Sequence, residues 1–175
     1  GKKENINPKA EYYALDVSDL ENYRFEIFEN IDTIFHLAAV TSVQESIENP
    51  ILYNMVNTIG TSNILQAAKS TGTVKRVVFS SSSSVYGDAK TPTSENHPTN
   101  PLSTYALSKL IGEQLCKLYS DIYDLDTVCL RYFNVYGDRM NNEGGYKLLF
   151  PIFKEQVINL QPLTINNDGN QRRDF

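Results

Sequence analysis

The sequence predicts an α/β fold built on a doubly wound parallel sheet, and three observations predict it. Short β-prone runs alternate with helical patterns of about ten to twenty residues, as in chains of βα units. The β-prone runs are continuously apolar, which suits parallel strands covered on both faces by helices. The residues that follow them are small or hydrogen-bonding, as expected of a sheet that takes its ligand at the carboxyl ends of the strands.

Taken in order, residues 1–5 (GKKEN) carry no hydrophobic period and read as a loop. Residues 11–17 (EYYALDV) are short, aromatic and β-prone, a first strand ending at Asp16. Ser18 with Glu21 makes a capping box for a helix to about residue 29. Residues 32–39 (DTIFHLAA) form a second strand ending in small residues. Asn49-Pro50 opens a helix over 50–70, with Leu52, Met55, Val56, Ile59, Ile64, Leu65 and Ala68 at helical spacing, and Gly72 breaks it. Residues 74–79 (VKRVVF) form a third strand that runs into the serines at 80–84. A loop rich in Pro, Thr, Asn and Ser covers 88–103. A long helix over 104–123 and a fourth strand over 126–132 (DTVCLRY) follow. Residues 134–146 read as a Gly- and Asn-rich loop, 148–159 as a helix, 162–165 as a short strand and 166–171 as a turn.

A length of 175 residues suits one domain, burying about 70% of the unfolded chain's surface. A net charge of -5 argues against nucleic acid or an anionic membrane as partner, yet leaves a phosphorylated small molecule open. Cys116 and Cys129 sit in a helical and a strand pattern and form no framework, so a reducing cytoplasm is the simplest setting. No apolar run approaches about 18 residues, and no charged-then-apolar leader opens the chain. No His/Cys/Asp cluster has metal-ligand spacing. His36, inside an apolar run, reads as a core histidine; His97 reads as solvated, and Arg139 and Arg172 as surface charges. Tyr86, Phe133 and Tyr136 read equally well as packing aromatics or as site residues.

The chemistry-bearing stretch is PLSTYALSK, residues 101–109. Tyr105 and Lys109, four residues apart early in a helix, lie one above the other on one face. A nearby ammonium favours phenolate and lowers a phenol pKa that starts near about 10. A phenol so tuned can take a proton from a sugar hydroxyl or return it. Such pairs are common on surface helices, so this one gains meaning only from the strand ends around it.

Six blocks, HLAAVTSVQESIENP, NTIGTSNILQAA, VVFSSSSSVYGD, PLSTYALSK, LRYFNVYGDR and DGNQRRDF, span nearly the whole chain. In this order they resemble the extended short-chain dehydrogenase/reductases that act on nucleotide sugars, the NAD-dependent epimerase/dehydratase family. The resemblance is closest to the branch of UDP-glucose and UDP-N-acetylglucosamine 4-epimerases. It implies a Rossmann-like sheet and a tightly held NAD that removes and returns the C4 hydride of a UDP-sugar through a 4-keto intermediate. By the same resemblance Tyr105 is the acid/base on the 4-hydroxyl, and Lys109 holds the nicotinamide ribose and lowers the Tyr105 pKa. Ser82 bridges sugar and tyrosine, unless another serine of the run does so. Asp16 and Val17 contact the adenine, and Ala38 and Ala39 line the pyrophosphate and ribose. Asn57 and Ser80 lie near the cofactor, and Tyr132 lies beside the nicotinamide amide. Asn134 and Arg173 bind the UDP diphosphate, and Ser42 lies near the sugar. A homodimer through a four-helix bundle, from the helices near 50–70 and 104–123, is implied as well.

Rival readings within the family are a 4,6-dehydratase or a decarboxylase. Dehydratases place Asp-Glu where Ser83-Ser84 stand here, which favours the epimerase. A non-catalytic sensor of NAD or nucleotide sugars is the alternative from another class, and the intact Ser82, Tyr105 and Lys109 argue against it.

The family's G-x-x-G-x-x-G phosphate loop has no match here, GKKEN resembles the loop after the family's second strand, and RRDF stands where the family continues. The expectation is therefore an internal fragment lacking the first βαβ unit and most of the substrate domain. Residues 1–145 would be a partial NAD-binding domain and 146–175 the start of the nucleotide-sugar region. Expressed alone, the 175-residue chain should bind NAD poorly and show little activity. Isothermal titration with NAD and a UDP-sugar turnover assay check this, and normal turnover overturns it.

Overall fold

Three parallel strands organise the computed structural model: β1 (Thr33–His36), β2 (Arg76–Ser82) and β3 (Asp126–Tyr132), in the order β1-β2-β3. The structure describes residues 3–19, 25–137, 149–165, 168–170, 172 and 174. The chain divides into a larger unit, Tyr13–Tyr132, and a smaller one made of Gly1–Tyr12 with Phe133–Phe175.

In the larger unit Phe35 pairs with Val78 and Val78 with Val128, so side chains level with one another share a face. Ile34, His36, Val77, Phe79 and Ser81 alternate onto the buried face. There they meet α3 (Gly60–Thr71) and α4 (Thr104–Tyr123). Ile64, Leu65, Ala67 and Ala68 of α3 and Cys116 of α4 complete the core with Val74 and Leu125. Gly112 lets α4 approach closely, because a Cβ there would collide with the ring of Phe79. On the opposite face Phe35 is 68% exposed and Leu130 37%.

The helices have the ends their sequences encode. Ser42 caps α1 (Val43–Glu48), accepting from the Glu45 N–H at 3.2 Å. Ser103 caps α4, accepting from the Ala106 N–H at 3.1 Å. Such caps contribute about 1 kcal/mol each. The predicted helix over 50–70 is one helical path: α2 (Pro50–Tyr53), a π-helical turn (Asn54–Ile59) and α3, closed by Gly72 at φ 67°.

Two expected strands are absent. Residues 11–17 are irregular, and Tyr12 and Tyr13 are 62% and 51% exposed. A strand is made by its ladder partner, and no described strand lies alongside this segment. Residues 162–165 are irregular, and the Gln156 side chain binds them there, its Oε1 accepting from the Thr164 N–H at 3.2 Å and its Nε2 donating to the Thr164 hydroxyl at 2.6 Å. The capping box of Ser18 with Glu21 lies partly outside the described residues, and the Ser18 hydroxyl donates to Asp16.

In the smaller unit α5 (Leu149–Ile158) buries Pro151, and the Phe150 ring lies 5.9 Å from that of Tyr136. The Asn134 backbone N–H and side-chain amide both donate to the Asp174 carbonyl, at 3.2 and 2.7 Å. Among the described residues no helix is long and apolar enough to cross a membrane.

Candidate active site at the carboxyl end of the sheet

Three serines at the end of β2 carry the strand past its apolar stretch, and the last of them turns the chain. Ser82 caps the short 3-10 turn Ser83–Tyr86, its Oγ accepting from the Ser84 N–H at 3.2 Å and from the Ser84 hydroxyl at 2.9 Å. Gly87 follows at φ 65°, packed against the Asn100 carbonyl where a Cβ would not fit. The Asn100 N–H donates to the Val85 carbonyl at 2.9 Å, tying the long loop back to this turn. The loop then delivers the Ser103 cap, and Tyr105 stands in the first turn of α4.

One turn on, Lys109 is 4% exposed, and its Nζ donates to the Ser80 carbonyl at 2.7 Å while lying 5.1 Å from the centre of the Phe79 ring. Burial lowers its pKa from 10.5 to about 8, so it keeps its charge at neutral pH. His36 is buried beside Phe79, with Nε2 3.0 Å from the Thr61 hydroxyl. Burial first, and the Lys109 charge second, lower its pKa to about 4. It is a neutral core histidine, as its apolar run indicates.

The Tyr105 ring meets that of Tyr53 edge to face, with centroids 6.4 Å apart. Tyr53 is fully buried, and its hydroxyl donates to Glu45 Oε2 at 3.3 Å. Burial, with the Glu45 charge, raises the Tyr53 pKa and keeps it a neutral phenol. Ser42, the α1 cap, lies close enough to the same phenol to oppose part of that rise.

The expected cofactor residues are gathered by two asparagines. Asn57, in the π-helical turn, accepts from the Val40 N–H at 2.9 Å and donates to the Val40 carbonyl at 3.0 Å and to Ser108 Oγ at 3.0 Å. It thus pins the strand end that carries Ala38, which is exposed, and Ala39, which is half-buried, against the helix of Lys109. Asn63 donates to the Val17 carbonyl at 2.8 Å. Val17 lies over Gly60, where a Cβ would come 2.7 Å from its Cγ2. Asp16 is exposed, and its Oδ1 accepts from the Ser18 N–H and hydroxyl at 2.8 and 2.7 Å, which holds its carboxyl below the usual range. Tyr132, 43% exposed, stands level with Ser82 across β3.

These residues fit a dinucleotide. A lysine ammonium has three N–H donors, and among the described residues the Ser80 carbonyl is the one acceptor Lys109 meets, leaving donors for a ribose diol. Among the described residues both side-chain bonds of Asp16 fall on Oδ1, which leaves Oδ2 for a second hydroxyl group. Asn134 belongs to the smaller unit, and Arg173 lies outside the described residues, as does Arg139. Arg172 is exposed. Of the ambiguous aromatics Tyr86 is buried, whereas Phe133 and Tyr136 are exposed. Cys116 and Cys129 are free thiols, and the neighbouring Cys129 together with burial raises the Cys116 thiol. No group of three potential metal ligands occurs among the described residues.

Sequence reasoning passed over Glu113 and Arg131, an ion pair of a buried carboxylate with a half-buried guanidinium. The signal was there: both are charges at positions otherwise given to the apolar face of a helix and an apolar strand.

The model of the NAD dependent epimerase/dehydratase family matches residues 1–175. A putative UDP-glucose 4-epimerase of Methanocaldococcus jannaschii is 41% identical over 176 residues, covering 100% of this chain and 57% of that protein. The solved structure of a UDP-N-acetylglucosamine 4-epimerase from Methanobrevibacter ruminantium, in complex with UDP-N-acetylmuramic acid, is 38% identical. Its TM-score is 0.85, over 90% of this chain and 51% of that one. A UDP-glucuronic acid 4-epimerase from Bacillus cereus, with UDP-glucuronic acid and NAD, is 35% identical at a TM-score of 0.78, over 90% of this chain and 49% of that one. The chain spans about half the length of the relatives it matches.

The neutrality of His36 sets an acid limit. With a folded pKa of about 4 against 6.5 unfolded, the unfolded state binds more protons between those values. Stability should be full above pH 6.5 and fall toward pH 4, by up to about 3 kcal/mol. Urea midpoints measured across that range should show the slope, and His36→Leu should flatten it.

Proposed function

The chain belongs to the NAD dependent epimerase/dehydratase family, and from that premise we propose that the protein containing it epimerises a UDP-sugar at C4 with NAD as the hydride carrier. The observation that carries the reading is the Lys109 ammonium, buried on the Ser80 carbonyl one helical turn from Tyr105 and behind Ser82. A sensor of nucleotide sugars has no use for an ammonium kept dry beside a phenol.

Each residue has a stated task. Tyr105 accepts the proton of the 4-hydroxyl and later returns it. Lys109 holds the nicotinamide ribose and, as a cation beside the phenol, favours its ionised form. Ser82 hydrogen-bonds the reacting oxygen. Asp16 and Val17 hold the adenosine, Ala38, Ala39, Asn57 and Ser80 line its course, and Tyr132 faces the nicotinamide. NAD, when bound, supplies the hydride acceptor at C4. Asn134 and Arg173 would hold the UDP diphosphate, and Ser42 would stand near the sugar. The UDP-sugar class rests on the relatives named for UDP-glucose, UDP-N-acetylglucosamine and UDP-glucuronic acid. Residues 1–145 form the cofactor half in this reading, residues 146–175 open the nucleotide-sugar region, and the cytoplasm is the compartment that supplies both.

Tyr105→Phe in the complete protein should lower kcat by about a hundredfold or more while UDP-sugar binding stays within about threefold. Incubation with each UDP-sugar, with NMR identification of products, checks the reaction itself. A 4-keto-6-deoxy product would replace the epimerase with a dehydratase.

The same reading includes a homodimer. Ile51, Leu52, Met55 and Ile59 on the path from α2 to α3, and Leu107, Leu118 and Ile122 on α4, are all more than 40% exposed. Large apolar side chains ranged on two helices supply the faces of a four-helix bundle. Sedimentation of the complete protein should give a dimer, and Ile51→Asp with Leu107→Asp a monomer.

A further inference from the structure

Glu113 stands one turn past Lys109 and two turns past Tyr105, on the same face of α4. Its carboxylate is buried, and two side chains from the sheet converge on it. The Ser81 hydroxyl donates to Oε1 at 2.5 Å from β2. Arg131 donates from Nε to Oε1 at 2.9 Å and from Nη2 to Oε2 at 2.7 Å from β3. The guanidinium also covers the Tyr86 ring, 4.7 Å from its centre, and donates from Nη1 to the Glu95 carbonyl at 3.1 Å. One carboxylate on α4 is thereby fastened to β2 and β3 and, through Arg131, to the 3-10 turn and the long loop.

None of these side chains belongs to the proposed reacting set, yet each neighbours one that does. Ser81 lies between Ser80 and Ser82, Arg131 precedes Tyr132, and Glu113 follows Lys109 by one turn. A two-pronged guanidinium-carboxylate contact fixes rotation as well as distance, which an apolar contact of the same size does not. We propose that Glu113, gripped by Arg131 and Ser81, is a positioning residue that sets the rotation and depth of α4 on the sheet, and with them the reach of Lys109 to the Ser80 carbonyl and the stance of Tyr105 beside Ser82.

The kinetic part of this proposal rests on the epimerase reading; the geometric part does not. The test uses the complete protein carrying Glu113→Gln, Arg131→Lys or Ser81→Ala, with Leu65→Ala as a control that opens the core of α3 away from the network. Three quantities are read: kcat and KM for the UDP-sugar, the urea midpoint, and the NMR resonance of the ¹³C-labelled Lys109 ε-methylene, assigned with Lys109→Arg. Glu113→Gln and Arg131→Lys should lower kcat about tenfold or more with KM within about twofold, and move the Lys109 signal toward that of a hydrated lysine. Ser81→Ala should do the same to a smaller extent. Leu65→Ala should lower the urea midpoint and leave the Lys109 signal in place. If Glu113→Gln does not fold, the other two variants decide the matter. An unmoved Lys109 signal with unchanged kcat, or a kcat loss that only tracks the urea midpoint as in Leu65→Ala, overturns the proposal. If the unmutated protein turns over no UDP-sugar, the epimerase reading fails while the Lys109 resonance still judges the positioning role.

Discussion

A charged lysine taken out of water at the carboxyl end of a strand is the constraint on which much of the structure depends. Removing an ammonium from water costs several kcal/mol unless it is compensated. The Ser80 carbonyl and the face of Phe79 supply compensation for Lys109, the first by a hydrogen bond and the second by its ring quadrupole. Both act only if α4 lies within side-chain reach of the β2 backbone. Gly112 permits that, since a Cβ there would push the helix off the Phe79 ring. His36 contributes by being neutral, so it adds no charge of its own beside the lysine. The residual penalty is visible in the lysine itself, whose proton is held less firmly than in water.

Around that charge, polar side chains tether loops that the core does not hold. The Asn57 side chain seats Val40 and Ser108 and the Asn63 side chain holds Val17, while the Asn100 backbone N–H closes on the Val85 carbonyl. Each joins a strand end or turn to a distant part of the chain. Exposed strand ends are where backbone groups lack ladder partners, so a side-chain amide with one acceptor and two donors suits the task. The ligand side of the sheet is in this sense a set of pinned loops on a rigid support.

The legible parts of the sequence were those in which local pattern and tertiary packing agree. The helix over 104–123 and the strand over 126–132 have the predicted bounds, because a cap, an amphipathic stripe and a closing residue all lie within the segment. Residues 11–17 have strand-like composition but no described ladder partner, and composition cannot report a partner. The π-helical turn within 50–70 was invisible, since one inserted residue leaves the apolar spacing almost unchanged. Tyr105 and Lys109 were readable because their relation is a spacing of four on one helix. The pairing of Glu113 with Arg131 was not, because it joins residues 18 apart on different elements. Asn57 was read as a neighbour of the cofactor from resemblance, and its bonds to Val40 and Ser108 were not readable, because they join distant parts of the chain.

The serine run illustrates why position outweighs composition. Strand alternation sends Ser81 to the helix side, where its hydroxyl is committed to Glu113, and Ser80 and Ser82 to the other. Ser80 stands level with Leu130, one step inside the sheet, and what it offers Lys109 is its backbone carbonyl. Ser82 stands at the rim, level with Tyr132. Its oxygen already accepts two hydrogen bonds, from the N–H and the hydroxyl of Ser84. A hydroxyl oxygen with both lone pairs engaged has only its proton left to give. In the proposed reaction Ser82 would therefore act as a hydrogen-bond donor to the oxygen that Tyr105 deprotonates. A run that reads as redundant in sequence is, once folded, a set of serines with separate tasks.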